Sequence, residues 1–320
     1  MPMLKPFTHL ALLLVVALST GLARAELATP PTQNAPDGNV SISATWKGSP
    51  IVIETSERLA GGINSLKWKG VELLNNPPEY LRGIGANVIL DDKGLCYNPN
   101  DGGSRADYFK PTSTSRLLSL HASGNVLESS KQMAFYLAPG QSDPRCGKAL
   151  NTSALSDYRI ERRVTIGAYG VANAIEFNST FRMPEEKNEG YFIPLGVHGA
   201  AMFTRFYSYD PATRAQQDLA VKQRTQKHTR LPVVVATADK QLALGIYSPK
   251  IPKTRSRTGG NSGYTIGNFA GTKDPATKLN CAFSVAPIHR TSYQFPCYLL
   301  IGTLADVTEG MDRLDAHFRQ

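Results

Sequence analysis

Beyond its first eighteen residues the chain has no apolar run approaching the roughly 20 residues that a membrane-spanning helix needs. No integral membrane segment is therefore expected after the leader. Only four cysteines are present, Cys96, Cys146, Cys281 and Cys297, and none stands in a CxxC spacing, which argues against a zinc ribbon or a redox dithiol. There is no helix-turn-helix, zinc-finger or aromatic RNA-binding signature, so nucleic acid is not an expected partner. Internal repeats are missing, and helical periodicity is lacking until the C-terminal end.

What is present begins with a leader. Lys5 precedes the apolar run Leu10 to Leu18, and Ala23-Arg24-Ala25 supplies the small-x-small pattern of a signal-peptidase site. Residues 1–25 read as a signal peptide, residues 26–39 as a disordered leader, and residues 40–320 as a single domain. The expected location is periplasmic or secreted. There ATP and reduced nicotinamide are not at hand, which favours hydrolysis, elimination, epimerisation or binding. In an oxidising compartment the four cysteines suit two disulfides. Three connectivities are open; Cys96–Cys146 and Cys281–Cys297 are favoured because each closes a local loop.

The formal net charge is +9, from 35 Lys plus Arg against 26 Asp plus Glu, and loss of Lys5 and Arg24 with the leader leaves the chain basic. A solvated cationic surface explains this, as does an anionic partner such as a uronate-bearing polysaccharide.

The body of the chain reads as β. Short alternating or apolar runs recur at Val40 to Trp46, Ile51 to Ile53, Ile63 to Trp68, Val71 to Leu74, Arg116 to His121, Gln132 to Leu137, Tyr158 to Ile166, Ala174 to Arg182 and Tyr191 to Tyr207. Later ones are Pro232 to Ala236, Leu242 to Tyr247, Cys281 to Ala286 and Tyr298 to Gly302. Gly, Pro, Asn and Asp separate them, as in a sandwich or barrel. One helix is expected at the end, capped by Asp306 or Thr308, with Met311, Leu314 and Phe318 on one face covering a sheet edge.

Two irregular segments interrupt the strands. Asp91 to Tyr108 is a long polar loop of the kind that is functional or mobile. Asp91, Asp92, Asp101 and Asp107 are hard oxygen donors, but their spacing is not that of an EF-hand. No cofactor is expected beyond a structural calcium ion as the lesser alternative. A sugar edge is the stronger functional reading, with Tyr97 stacking on a ring and Asn98 and Asp101 bonding hydroxyls; a solvated loop pinned by Cys96 is the plain alternative. Lys250 to Gly263 carries Lys250, Lys253, Arg255 and Arg257, and reads as a solvated basic loop or a flap over an anionic glycan. Between these segments, His198 stands in an apolar run and is followed by Arg205, Tyr207 and Tyr209. Alternation puts the last three on one strand face.

The segments at 61–76 (GGINSLKWKGVELLNN), 96–103 (CYNPNDGG), 115–120 (SRLLSL) and the strand Ala174 to Arg182 resemble exported proteins of the galactose mutarotase superfamily. The resemblance implies a large, bent antiparallel β-sandwich whose concave face meets carbohydrate. Aldose epimerases of that kind use a histidine acid, a glutamate base and a gripping arginine. His198 is placed for the histidine and Arg82 or Arg205 for the arginine. No glutamate occurs from Leu231 to Leu304, which counts against the standard epimerase mechanism.

The expected function is therefore cleavage of an oligo- or polysaccharide, acidic ones included, by a lyase or glycoside hydrolase. A non-catalytic glycan-binding or assembly protein and a sugar epimerase are the alternatives. Hydrolysis needs two carboxylates about 5–10 Å apart, drawn from Asp101, Asp107, Glu185, Glu186, Glu189 and Asp210. Elimination needs a base such as His198 or Tyr207, with Arg or Asn neutralising the uronate. The expected site is His198, Tyr207 and Asp101 for catalysis, with Arg82, Tyr97, Asn98, Arg205 and Tyr209 holding substrate.

Overall fold

The computed structural model describes residues 33–34, 38–75, 83–251, 262–272 and 275–320. The expected signal peptide, Arg82 and most of the basic segment Lys250 to Gly263 lie outside them. Every strand pairing among the described residues is antiparallel, and a single α-helix closes the chain.

Among the described residues, seventeen strands longer than two residues build two layers. One sheet contains β1 (Ser41–Trp46), β2 (Ser49–Ser56), β3 (Gly62–Trp68) and β4 (Ile84–Leu90), then β9 (Gly190–Gly199), β16 (Thr277–Val285), β15 (Gly263–Asn268) and β12 (Thr225–Thr229). The other runs from β5 (Arg116–Ser123) through β6 (Val126–Phe135), β7 (Leu155–Ile166), β8 (Ala174–Arg182), β17 (Ser292–Gly302), β14 (Ala243–Tyr247), β13 (Val233–Ala236) and β10 (Arg205–Asp210) to β11 (Ala215–Asp218). Pro99–Asn100 joins the layers at one side, pairing with β4 and with β6.

The period-two pattern explains the sandwich. In β4, Ile84, Ala86, Val88 and Leu90 point inward while Gly85, Asn87 and Ile89 point out; in β7, Tyr158, Ile160, Val164 and Ile166 point inward. These inward sets merge into one core that includes Trp68, Phe177, Phe192 and Phe283. The mostly β, antiparallel sandwich read from the sequence is the fold observed.

Both favoured disulfides are present, Cys96–Cys146 and Cys281–Cys297. The second does more than close a local loop. Cys281 lies on β16 and Cys297 on β17, so it ties one sheet to the other through the core, where both residues are fully buried.

Four details depart from the sequence reading. The run Tyr191 to Tyr207 is two strands, because the chain turns at residues 200–204, where the Phe203 N–H donates to the Ala200 carbonyl, and changes sheets. Within the expected disordered leader, Gln33–Asn34 pairs with His121 and Ala122 of β5. The helix α1 (Leu304–Arg319) is capped by Thr303, with Asp306 returning the bond to the Thr303 N–H as a capping box. Finally, α1 covers a sheet face rather than an edge. Leu304, Val307, Met311 and Leu314 form a wider apolar stripe than Met311, Leu314 and Phe318, and they pack on Tyr207, Tyr209, Val234, Ala243, Tyr298 and Leu300. Phe318 remains at the margin, 36% exposed.

Candidate functional site

The outward face of the first sheet, opposite the core, floors a cleft of about 720 Å³. Register places its side chains in two lateral rows. One row runs Gly85 on β4, Gly196 on β9, Asn280 on β16, Thr265 on β15 and His228 on β12. The next runs His198 on β9, Lys278 on β16, Gly267 on β15 and Gln226 on β12, with the His198 N–H donating to the Gly83 carbonyl at 3.0 Å. Facing neighbours in such rows have Cβ atoms about 4.5–5.5 Å apart. His198 and Lys278 therefore stand side by side.

Polar groups on this face are tied together. The Thr265 hydroxyl meets His228 Nδ1 at 3.1 Å and also engages the Tyr191 hydroxyl. Burial pushes that hydroxyl's pKa up, against the opposing pull of Thr265, so Tyr191 holds its proton at neutral pH. The side-chain oxygens of Asn98 and Asn280, both buried and both on cleft-lining residues, have no hydrogen-bond partner. Such atoms carry a desolvation cost until something donates to them.

The wall opposite β12 is the polar loop after β4. Asn98 donates to the Asn87 side-chain oxygen at 3.2 Å. Arg145, brought close by the Cys96–Cys146 bond, pairs with Asp143 at 2.9 Å, and Arg105 approaches the same carboxylate at 3.6 Å. Hydrogen bonds from Arg145 hold the Asp143 carboxyl down at about 2.

The expected residues divide. His198, Asn98 and Asp101 line the cleft. Asp101 is not an available acid or base there: its Oδ1 accepts from the Ala86 N–H at 2.7 Å, and its Oδ2 lies 3.3 Å from Arg162 and 3.7 Å from Lys131. Tyr97 lies outside the cleft lining. Its ring stacks on Phe135 and its hydroxyl donates to Glu185, which also accepts from Tyr158 at 2.6 Å. Tyr207 and Tyr209 share a face as alternation required, but it is the face under α1, where the Tyr209 hydroxyl donates to Asp312 at 2.7 Å. Arg205 is exposed on that same strand, away from the cleft lining.

The acidic loop also disperses. Asp91 accepts from the Asn188 N–H, and Asp107 accepts from the Ser104 N–H, the Thr114 N–H and the Thr114 hydroxyl. Among the described residues no three His, Cys, Asp or Glu groups gather where they would hold a metal ion. Asp91, Asp101 and Asp107 are each engaged at a different place.

Sequence reasoning missed Tyr191, His228, Thr265, Lys278 and Asn280. Three of the strands that carry the cleft, β4, β15 and β12, were not anticipated at all. Gly-Tyr-Thr-Ile-Gly-Asn and Thr-Gln-Lys-His-Thr have little apolar alternation, because glycine and polar residues occupy one face or, at an edge, both. A usable signal was there in β4, whose Ile-Gly-Ala-Asn-Val-Ile-Leu alternates buried and half-buried positions throughout.

No family model matches the chain, and no curated protein matches it. Solved structures similar in course include a protein from Synechocystis sp. PCC 6803, at 8% identity and a TM-score of 0.46, covering 82% of this chain and 96% of that one. Another is a galactose mutarotase related enzyme from Lactobacillus acidophilus, at 8% identity and a TM-score of 0.44, covering 83% and 97%. A third is a heparan sulfate lyase from Pedobacter heparinus, at 9% identity and a TM-score of 0.43; the match covers 83% of this chain but 35% of the lyase.

Proposed function

We propose that the protein is an exported carbohydrate-active enzyme whose cleft takes an acidic glycan and cleaves it by β-elimination. The observation that carries this reading is the composition of the cleft lining. Lys278, Arg145, His198 and His228 line it, and the one carboxylate among its described lining residues, Asp101, is already bound to two cations. Among the described lining residues, hydrolysis by paired carboxylates has no pair to work with. Glu185 is engaged by two tyrosines, Asp210 caps its own turn, and neither lines the cleft.

Elimination suits the two rows. Lys278 faces a uronate carboxylate and stabilises the negative charge that develops when the adjacent carbon loses its proton, while the Asn280 side-chain oxygen accepts from a sugar hydroxyl. His198, beside Lys278, accepts that proton. The electron pair left behind forms the new carbon–carbon double bond as the glycosidic C–O bond breaks. The departing oxygen takes a proton from the Tyr191–Thr265–His228 chain, which begins with a hydroxyl kept protonated by burial. Both disulfides suit an oxidising compartment.

Incubating the protein with neutral and acidic polysaccharides tests this. Ultraviolet absorbance of an unsaturated uronate product is expected with acidic chains only. His198→Ala is expected to lower that rate at least about 100-fold, as loss of a general base does, with an unchanged melting temperature. Reducing ends without the unsaturated product would overturn elimination in favour of hydrolysis. Tight binding without turnover would leave a glycan-binding protein.

A further inference from the structure

At the β3–β4 end of the cleft, the lining residue Asp101 meets two buried cations that do not themselves line it. Lys131 on β6 and Arg162 on β7 share the single carboxylate of Asp101; their side chains are 2%, 5% and 2% exposed. Lys131 also donates to the Leu59 carbonyl at 3.2 Å, and Arg162 to the Pro194 carbonyl at 3.1 Å. Two cations and one anion leave one buried positive charge uncompensated among the described residues. Burial, and Arg162 beside it, pull the Lys131 ammonium down to about 8, with Asp101 opposing them. An isolated buried charge is costly, and a sequence serving stability alone does better with an apolar residue there.

The cover over this cluster is glycine backbone together with the Leu59 side chain, whose Cβ would lie 2.8 Å from a Cβ on Gly62. A Cβ on Gly62 would lie 3.2 Å from Lys131 Nζ, and a Cβ on Gly85 would lie 3.2 Å from Asp101 Oδ1. Gly62, Gly85 and Gly102 all line the cleft. At Gly62 a ligand can thus come close to the Lys131 ammonium, whereas Gly85 lies beside the Asp101 carboxylate. Glycine is not demanded by dihedral angle at 62, 85 or 102, since none of these adopts a positive φ.

We infer that the Gly62–Gly85–Gly102 floor is an anion subsite, in which a carboxylate or sulfate of the ligand completes a two-by-two charge cluster with Lys131, Arg162 and Asp101. This deepens the reading of the cleft as an acidic-glycan site and rests on it for the identity of the ligand. Lys131 acts through the floor as a specificity-determining residue: it selects a charged sugar over its neutral counterpart. It takes no part in proton transfer.

The test is Lys131→Met, which keeps the stem and removes the charge, leaving a balanced Arg162–Asp101 pair. The variant is expected to melt no lower than the parent. Its affinity for an acidic polysaccharide that the parent binds is expected to fall about tenfold or more, because the lost attraction acts in a low-dielectric setting. Inorganic sulfate supplies a probe independent of sugar. Sulfate stabilises proteins generally, so the expected result is a larger sulfate-induced rise in melting temperature for the parent than for Lys131→Met. In the parent that excess is expected to fade between about pH 7.5 and 9.5 as the ammonium, which faces Asp101 and Arg162 among the described charged groups, loses its proton. Equal sulfate responses at neutral pH, or a pH-independent excess, would overturn the subsite. A Lys131→Met variant that is less stable but binds unchanged would make Lys131 structural and also overturn it. A sulfate effect lost in the variant, in a protein that binds no acidic glycan, would keep the subsite and sink the glycan reading. If Lys131→Met does not fold, the parent's pH series decides alone.

Discussion

The two sheets turn very different faces outward. The face under α1 is rich in aromatic rings: Tyr207, Tyr209, Tyr247 and Tyr298 lie buried beside Val307, Met311 and Leu314. Their hydroxyls are consumed locally, Tyr209 by Asp312, Tyr247 by Asp315 and Tyr298 by Glu176. Small residues let the helix settle, since a Cβ on Gly245 would lie 2.4 Å from Val307 and 2.5 Å from Met311. The cleft face has Gly85, Gly196, Gly267, Asn280, Thr265 and Lys278 in the equivalent outward role. Tyrosine, arginine and histidine together look like a sugar site when read along the chain. Here the two tyrosines of that group belong to the bed of a helix, and His198 is joined at the cleft by residues that look unremarkable in sequence. An aromatic face is filled by the protein itself; a glycine and carboxamide face is left for something else.

Among substitutions that leave the protein folded, the largest effect expected from breaking this contrast is at Met311. Met311→Ala hollows the helix-covered face and is expected to cost about 2–5 kcal/mol of stability, read by denaturant titration, while ligand affinity of the folded protein is unchanged. A comparable loss of affinity would show that the two faces are coupled. Gly196→Ala sharpens the opposite side. Gly196 does not adopt a positive φ, but its Cβ would meet Asn280 Oδ1 at 3.1 Å and intrude on the floor. A stability cost of about 1 kcal/mol is expected, together with a several-fold loss of glycan affinity by calorimetric titration. Gly83→Ala makes a useful contrast: its Cβ would lie 2.2 Å from the Ile63 carbonyl oxygen at a φ of +137°, so misfolding is expected in place of a binding defect. The smallest effect belongs to Tyr209→Phe, which removes the hydrogen bond to Asp312. It is expected to lower stability by about 1 kcal/mol and to leave turnover untouched. Loss of turnover there would return Tyr209 to the site.

The pH response follows from Lys131. Its folded-state pKa, about 8, lies below the ordinary lysine value of 10.5, so the folded protein gives up this proton before the unfolded chain does. Between those two values the unfolded state binds more protons, and this group's contribution makes stability rise with pH. Lys131→Met is expected to remove that rise.

Much of the fold was legible. The runs Val40 to Trp46, Tyr158 to Ile166 and Ala174 to Arg182 marked strands correctly, observed at Ser41–Trp46, Leu155–Ile166 and Ala174–Arg182, since one face of each meets the core and the period of two survives in the residue types. Both cysteine pairs were correctly chosen, although Cys281–Cys297 looked like a loop staple and is a bolt between sheets. The site was legible only in part. His198, Asn98 and Asp101 do line the cleft, but Asp101 reads in sequence as a free acid in a polar loop. Lys131 and Arg162, thirty and sixty-one positions further on, neutralise it.

Local sequence determined most of the core-facing strands, where the helix lies and which side of those strands is apolar, because those depend on neighbours within a few residues. Which outward face would be covered was decided by tertiary structure. The apolar stripe of α1 found the tyrosine-bearing face, and the capping box at Thr303 and the Lys47–Asp306 pair at 2.6 Å help to hold it there. Convergence of His198, His228, Lys278 and Asn280 depends on four strands from distant parts of the chain lying in register. Nothing in the spacing of those residues along the chain encodes it. The physical reason is that backbone pairing, which is blind to side-chain chemistry, sets the lateral rows, and only the rows bring the chemistry together.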